Sequence, residues 1–400
     1  MRILYYDWDE FNGDDCRDAM RRLGHQVDTV KLDLQGYDLT PEMEQTLTPL
    51  FEKKENGKRF YDLLFSFDFF PNISEVCQKH GMPYVSWVFD CPHYTMYSKF
   101  MNNEVNRVYI FDKSLYSEMQ AKGYKTVRYS PLGVNAQRLS DLCKCLDDET
   151  DGKIIYEHDV SFVGSLYDNE YNFYDQVKYI PSWLKDYIDA VILGQEKIFG
   201  VDLFSDKSVM SQERIDELRK YINFESTGKY DLDYDNIILD VLRKKVTVNE
   251  RRRILTQMGA NFDTVLYTNP GVKPVLGVPN LGRADYFNKM PRVFRRSKVN
   301  LNITLRSIRS GVPLRVIDVL GAGGFLITNY QEEIAQYFDD GKDLVIAHTP
   351  GEMIRQTSYY LTHEDERKAI AQNGQKKVFE QLAYTKLLPN ILEDNNYMET

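Results

Sequence analysis

Cysteine is scarce in this chain: the 400 residues contain five, Cys16, Cys77, Cys91, Cys143 and Cys145. The number is odd and the positions scattered, apart from one C-x-C, which suits reduced thiols and excludes a disulfide framework. No apolar run approaches the roughly 20 residues that a membrane-spanning helix needs, and the N-terminus turns polar within a few residues. The expectation is a cytoplasmic protein without a transmembrane segment. Positive charge is also in deficit. A net charge of -10 argues against general affinity for nucleic acid or anionic lipid, both of which bind through clustered Lys and Arg. There is no internal repeat and no low-complexity tract. What remains, 42% hydrophobic and 28% charged residues, is the composition of a globular α/β-sized chain of two domains.

Short β-rich runs alternate with helical stretches, the pattern of parallel sheets covered on both faces. In the first half the strands are ILYY (3–6), VDTVKLD (27–33), LLFSFDFF (63–70), PYVSWVFD (83–90), VYIF (108–111) and TVRYSPL (126–132). Gly81 closes the helix NISEVCQKHG, and Asp14 is placed to cap the first helix. Between Asn135 and Glu157 the periodicity fails and acids gather, which marks a linker. The predicted domains are 1–150 and 151–385, with a tail at 386–400. The second opens with DVSFVGSLY (159–167), carries a helical insertion at about 170–257, and resumes its sheet with FDTVLYTN (262–269), KVNLNIT (298–304), GFLITN (324–329) and DLVIAH (343–348). The acid cluster DLDYD (231–235) and the basic runs Lys244–Lys245 and Arg251–Arg253 read as solvated faces.

One segment departs from the acidic whole. From Arg283 to Arg315 nine basic residues stand against one acid, Asp285, and such a surplus asks for an anionic partner. Within it, SIRSGVPLRVIDVLGAGGFLITN (307–329) spells a loop, a helix opened by Pro313, a glycine-rich stop and a strand. Ser310 and Gly311 precede the helix, where free N–H groups and the dipole favour an oxyanion. Arg306, Ser307 and Arg309 flank the loop and supply donors to a diphosphate. Arg315 and Asp318 lie in the helix, where a carboxylate can hold two ribose hydroxyls. Asn329 and Tyr330, at the end of the following strand, complete the candidate donor set.

The stretch from Tyr286 to Glu333, together with DVSFVGSLY, SWVFDCPHYTMYS (86–98) and YSPLGVN (129–135), resembles the CgeB-like (spore maturation protein type) bacterial glycosyltransferases of the glycosyl transferase group 1 superfamily. The resemblance implies a GT-B fold, two Rossmann-like α/β domains facing across a cleft with the helical insertion in the C-terminal one. It implies a nucleotide-diphosphate sugar donor bound by the second domain, a glycan or protein acceptor, and no metal or other cofactor. Asp318 matches the second acid of the superfamily's E-x7-E element. The first acid is replaced by Ser310, so a retaining mechanism does not transfer. Gly164 and Ser165 match the glycine turn that meets the diphosphate, and Gly282 and Arg283 fall in the loop near the nucleobase.

In the first domain, SWVFDCPHYT ends a strand where open α/β sheets place ligands, so Asp90 and His93 are the candidate catalytic residues, either one serving as general base toward an acceptor hydroxyl. DWDEFNGDD (7–15) is also placed to line that edge. Its D-W-D is too short to signal a metal site. The predicted activity is glycosyl transfer, metal-independent. Two other functions fit less well. A nucleotide-sugar epimerase needs paired acids and histidines around one sugar, and His93 is the one histidine in a predicted cleft motif. A non-catalytic two-lobed binding protein of the receptor kind usually carries a secretion signal.

Overall fold

The computed structural model describes residues 1–32, 36, 38–168, 172–222 and 233–393. The chain forms two compact units: Met1–Asn135 with Glu225–Asp233 and Gln381–Thr400, and Ala136–Phe224 with Tyr234–Glu380.

The first unit is built on six parallel strands, β1 (Arg2–Tyr6), β2 (Gln26–Val30), β3 (Leu63–Phe67), β4 (Tyr84–Trp87), β5 (Asn106–Ile110) and β6 (Val127–Tyr129). Their order across the sheet is β2-β1-β3-β4-β5-β6. Ile3 lies opposite Val27 on one side and Leu63 on the other. Every residue of β3 and β4 is buried, as expected of strands covered on both faces. The covering helices are α1 (Gly13–Arg22), α2 (Pro41–Glu52), α3 (Pro71–His80) and α4 (Lys113–Ala121). Thr40 caps α2 by accepting from Met43 N, and Asp112 caps α4 through Leu115 N. Gly81 ends α3 in the left-handed region, as its sequence predicts. Asp14 does not cap α1. Asn12 holds the cap position without a side-chain bond, and Asp14 pairs with Arg17 at 2.6 Å.

The second unit carries β7 (His158–Val163), β8 (Thr264–Tyr267), β9 (Ser297–Asn302), β10 (Leu326–Asn329) and β11 (Val345–Ala347), all parallel in the order β8-β7-β9-β10-β11. Its helices are α5 (Ala136–Asp148), α6 (Ser182–Gln195), α7 (Gln212–Arg219), α8 (Tyr234–Asn261), α9 (Lys289–Arg295), α10 (Leu314–Gly321), α11 (Glu332–Tyr337), α12 (Pro350–Thr362) and α13 (Glu364–Gln381). The sheet core contains Val160, Phe162, Val299, Leu301, Ile327 and Met353. The helical insertion has a core of its own around Leu184, Ile188, Phe204, Met210, Ile215 and Leu242. Helix α8 belongs to both: Ile238 to Val246 fill the insertion, while Ile254, Leu255 and Met258 pack on the sheet. The last helix, α14 (Tyr384–Leu392), returns to the first unit, where Tyr384 meets Trp87 edge-on at 5.6 Å and Val134 N donates to Leu382 O.

Three boundaries differ from the sequence reading. Helix α5 sits in the second unit, so the first ends at Asn135 and not at 150. Residues 386–392, counted as tail, continue an ordered helix with Leu388 and Ile391 buried. Strand β3 stops at Phe67, because Asp68 takes φ +55 and turns the chain toward α3. In the acid cluster 231–235, residues 231 and 232 lie outside the described residues. Asp233 and Asp235 pair with Lys122 and Arg219.

In each sheet the strand order reverses once, between β1 and β3 in the first unit and between β7 and β9 in the second. At such a reversal the neighbouring connections leave on opposite faces and open a crevice at the carboxyl ends of the strands. The chain returns from α10 to β10 through Gly323, at φ +70, and Gly324, whose Cβ would lie 2.7 Å from Phe294 O and 2.8 Å from Asn300 Nδ2. The second contact is with the sheet itself, so Gly324 is more than a helix stop. Gly324→Ala is expected to destabilise the protein by about 1–3 kcal/mol through overpacking, against about 1 kcal/mol or less for Gly341→Ala, which faces open space but pays for its positive φ; urea denaturation measures both.

Candidate active-site regions at the strand-order reversals

At the reversal in the second unit, Gly164 and Ser165 follow β7 directly. Gly164 N donates to Tyr267 O, and Ser165 Oγ accepts from Tyr167 N at 3.0 Å. Tyr167 takes φ +56, and its ring lies between the Arg251 guanidinium at 5.1 Å and Lys244 at 5.5 Å. Arg251 spans the reversal: its guanidinium donates to Ser165 O at the end of β7 and doubly to Ile303 O at the end of β9. Helix α10 opens at Leu314, with Pro313 just before it and no side-chain cap. Arg315 on its first turn sits 2.7 Å from Met290 Sδ and 3.4 Å from Asp318. Burial works against the charge of both Arg251 and Arg315, and Arg315 adds to the effect at Arg251, while Asp318 opposes it at Arg315. Asp318 is buried on the second turn of the helix.

The loop before α10 is held from two sides. Arg306 makes a bidentate pair with Glu250 at 2.6 and 3.0 Å and also donates to Ile198 O. It is therefore committed to the insertion and does not stand as a free diphosphate donor, which corrects the sequence reading. Ser307 is buried beside Asp240, and Arg309 lies close enough to Asp202 and Asp240 to favour both carboxylates. Arg243 binds Asp202 at 2.6 Å and Asp240 at 3.0 Å. Arg306, Arg309, Asp202 and Arg243, with Gln195, Thr304 and Asn329, line a narrow crevice. Ser310 donates to the fully buried Glu333 at 2.8 Å, and Ser310 O accepts from Glu333 N. Gly311 is buried next to it. Asn329 accepts from Thr304 N at 2.7 Å, tying the ends of β9 and β10. Tyr330 stacks on His348 at 4.9 Å over Gly200. Gly282 and Arg283 lie apart from these, exposed at the end of β8, bonded to Asn280 and Asn269.

The basic surplus that seemed to ask for a ligand is largely answered within the unit. Arg292 and Arg296 pair with Glu149 and Glu157, Arg295 with Asp147 and Lys298 with Asp159. The acids read as a linker are the partners of the bases read as a binding surface. Conversely, the Arg251–Arg253 run is not a solvated face: Arg251 is buried, Arg252 binds Asp168 at 2.5 Å and Arg253 donates to Glu196 O. Three successive helical positions sweep about 200°, so on a helix covered from several sides one of them must point inward; that signal was in the sequence.

In the first unit the loop after β1 runs past Asp7, Trp8 and Glu10. Asp7 lies 3.1 Å from Arg17, Asp9 binds Lys31, and Glu10 accepts from Tyr5 OH at 2.6 Å. The D-W-D acids thus carry their own cations. Asp68, just past β3, is 1% exposed and accepts at Oδ1 from Phe89 N at 3.0 Å and Asp90 N at 3.2 Å. Its carboxyl lies close enough to that of Asp90 for the two to interact. Asp90 is exposed to solvent, with protein atoms crowded around its carboxyl. Burial first, then the Asp68 charge, raises Asp90 to about 7; burial, joined by Glu10 and opposed by the Phe89 and Asp90 N–H groups, raises Asp68 to about 7. His93 is half-buried, and burial lowers its pKa. Its Nε2 sits within 3.1 Å of Phe69 N, Phe69 O and Thr95 Oγ1, so that edge of the ring is occupied by the Asp68 turn whichever nitrogen holds the proton. Of the two candidates Asp90 is the more exposed. Beside it Trp8 stacks on Phe89 at 6.0 Å and Phe11 meets Phe89 edge-on at 5.4 Å. Asp68 and this aromatic group were missed in the sequence, where LLFSFDFF reads as one buried strand; an acid at the end of an apolar run was the available sign.

Residues 244–393, from within α8 through α14, match the family model described as glycosyl transferase-like. No curated protein sequence matches the chain. Among solved structures, the DNA-modifying enzyme β-glucosyltransferase, determined with and without uridine diphosphoglucose, superposes with TM-score 0.52 at 9% identity over 98% of this chain and 100% of the other. HepE of Anabaena in complex with UDP-glucose superposes with TM-score 0.50 at 12% identity over 98% and 99%. The chain thus has the GT-B glycosyltransferase fold over nearly its whole length, and residues 244–393 form a glycosyl transferase-like domain. Among the described residues no helix is long and apolar enough to cross a membrane.

Removing Arg306 tests its assignment to Glu250. Arg306→Met leaves a buried carboxylate unpaired and is expected to cost about 3–5 kcal/mol at pH 8. Glu250 already lies above its ordinary value through burial, against the pull of Arg306. A folded-state value raised further favours the folded form at low pH and loses that contribution as pH rises, so the penalty shrinks at pH 5. Adding Glu250→Gln restores most of the loss at pH 8. Denaturant unfolding at the two pH values measures each step.

Proposed function

We propose that the chain transfers a glycosyl group from a nucleotide-diphosphate sugar to an acceptor hydroxyl of a glycan or protein, without a bound metal, as a CgeB-like bacterial enzyme acting in the cytoplasm. The observation that carries the donor half is the convergence of positive charge at the second unit's strand reversal: the Gly164–Ser165 turn, the start of α10 without a side-chain cap, the buried guanidinium of Arg251 and the half-buried one of Arg315. A diphosphate supplies the negative charge that such a site favours, with helix-terminal N–H groups and arginine forks as donors. The same groups stabilise the charge that develops on the leaving diphosphate. In this reading Asp318 takes the ribose hydroxyls, the exposed Gly282–Arg283 loop at the end of β8 takes the base, and Asp90 removes the proton of the acceptor. None of the five cysteines is in a disulfide, in keeping with a reducing compartment.

Thermal shift against UDP-, GDP-, dTDP-, CMP- and ADP-linked ligands identifies the donor, since a ligand that binds only the folded state raises Tm. One nucleotide diphosphate is expected to stand out. Asp318→Ala and Arg315→Ala should each raise its Kd about tenfold or more, equivalent to at least ~1.4 kcal/mol. Asp90→Asn should lower kcat roughly 10²- to 10⁴-fold with Kd for the donor unchanged. Wild-type donor affinity in both Asp318→Ala and Arg315→Ala overturns the site, and conversion of the donor sugar to an epimer without any transfer product overturns the reaction.

A further inference from the structure

The first unit holds a buried carboxylate beside Asp90 that the proposed reaction does not by itself require. Asp68 stands at the turn after β3, with φ +55 and its side chain enclosed. One oxygen takes the N–H groups of both Phe89 and Asp90, so the loop that carries Asp90 is fastened to the neighbouring strand end by a single acceptor. The same contact brings the Asp90 carboxyl close enough to that of Asp68 for the two to interact. Two carboxylates in such contact repel, and one proton between them removes the repulsion.

We propose that Asp68 is the positioning residue of the catalytic base: it fixes the Asp90 backbone, and its buried carboxylate holds the one proton of the pair on the Asp90 carboxyl. The inference rests on Asp90 being the base in the reading given above. In the transfer step the acceptor O–H proton passes to the ionised Asp90 carboxylate. The acceptor oxygen bonds to the anomeric carbon, and the bond from that carbon to the diphosphate breaks with its electron pair leaving on the nucleoside diphosphate. The proton then leaves Asp90 to solvent. Because Asp68 remains charged behind it, Asp90 keeps its proton to a higher pH than an ordinary aspartate, and activity rises as pH passes through the neutral range.

The groups facing the pair come from four loops and strands. Glu10, in the loop after β1, adds negative charge toward Asp68; His93, after β4, opposes the effect at Asp90; the hydroxyls of Ser66 on β3 and Tyr84 on β4 meet at 2.7 Å beneath the turn, Ser66 Oγ donating to Asp68 O. Both cations of the first loop cluster, Arg17 and Lys31, are taken by Asp7, Asp9 and Asp14.

Asp68→Asn separates the charge from the scaffold. An amide oxygen still accepts the two N–H bonds, and asparagine tolerates a left-handed φ. Carboxyl-carbon NMR titration of 13C-labelled aspartate, resolved by comparison with Asp90→Asn, reads the pair directly. In the wild type two coupled transitions belonging to the pair are expected, with that of Asp90 in the neutral range; in Asp68→Asn the Asp90 transition should move at least one pH unit toward acid. The acid limb of the kcat/KM profile should move with it, with the donor KM unchanged. If the Asp90 transition stays where it is in Asp68→Asn, the inference is overturned. The same holds if kcat falls while the pH profile keeps its position. Asp90→Asn gives a control on the other partner, with the Asp68 transition expected to move toward acid. A correct NMR result without any glycosyl transfer leaves the carboxyl pair standing and removes the proposed reaction instead.

Discussion

A parallel sheet whose strand order reverses must send two adjacent connections to opposite faces, and that constraint decides where this chain keeps its polar residues. It acts twice. In the first unit it separates the loops after β1 and β3, which carry Asp7 to Asn12 and Asp68 to Phe70; in the second it separates the Gly164 turn from the 303–313 loop. The strands themselves contribute packing, β3 and β4 being buried throughout. A backbone emerging from such a strand leaves its last carbonyls pointing into the crevice, and in the second unit Arg251 satisfies two of them, Ser165 O and Ile303 O, from a helix that starts in the insertion.

Helix α8 is therefore the member that joins the insertion to the chemistry. Its residues 243, 247, 250 and 251 follow one another at turns of the helix and hold, in order, Asp202, the Arg306 backbone, the Arg306 guanidinium and the reversal point. Breaking one buried pair costs several kcal/mol, far more than the 0–1 kcal/mol of a surface pair. The Arg306–Glu250 and Arg243–Asp202 pairs consequently weigh more in fixing the loop before α10 than the many exposed pairs on α6 and α13. A shift of the insertion would be felt at Arg306 and, through it, at Ser310 and Gly311.

The alternation of strands and helices was legible in the sequence because parallel strands write themselves as short apolar runs, and each of the eleven strands of the two parallel sheets falls on a run named there, whereas the short charged antiparallel pair Lys54–Glu55 and Lys58–Arg59 does not. The start of α10 was legible too, from Pro313 and the loop before it. What stayed hidden was pairing. The bases at 292–298 and the acids at 147–159 lie apart in the chain, so their mutual neutralisation could not be seen in either segment alone, and the surplus looked like a ligand site. Arg306 was misjudged for the same reason, its partner Glu250 being 56 residues away. Asp68 was hidden differently: its apolar neighbours made the strand appear to continue, and only the positive φ shows that it has ended.

The contrast between Asp68 and the other buried acids shows which of them is available for proton chemistry. Glu250 and Asp202 face guanidinium groups, whose charge draws both carboxyls toward the ionised form. Asp68 faces another carboxyl, two backbone N–H groups and hydroxyl-bearing side chains. Burial first, and then the Asp68 charge, raises Asp90 to about 7, which is where a base must lie if it is to be half-ionised near neutrality. His93 would be the conventional candidate, but the ring edge it turns to the Phe69 backbone serves to hold the very turn that places Asp68.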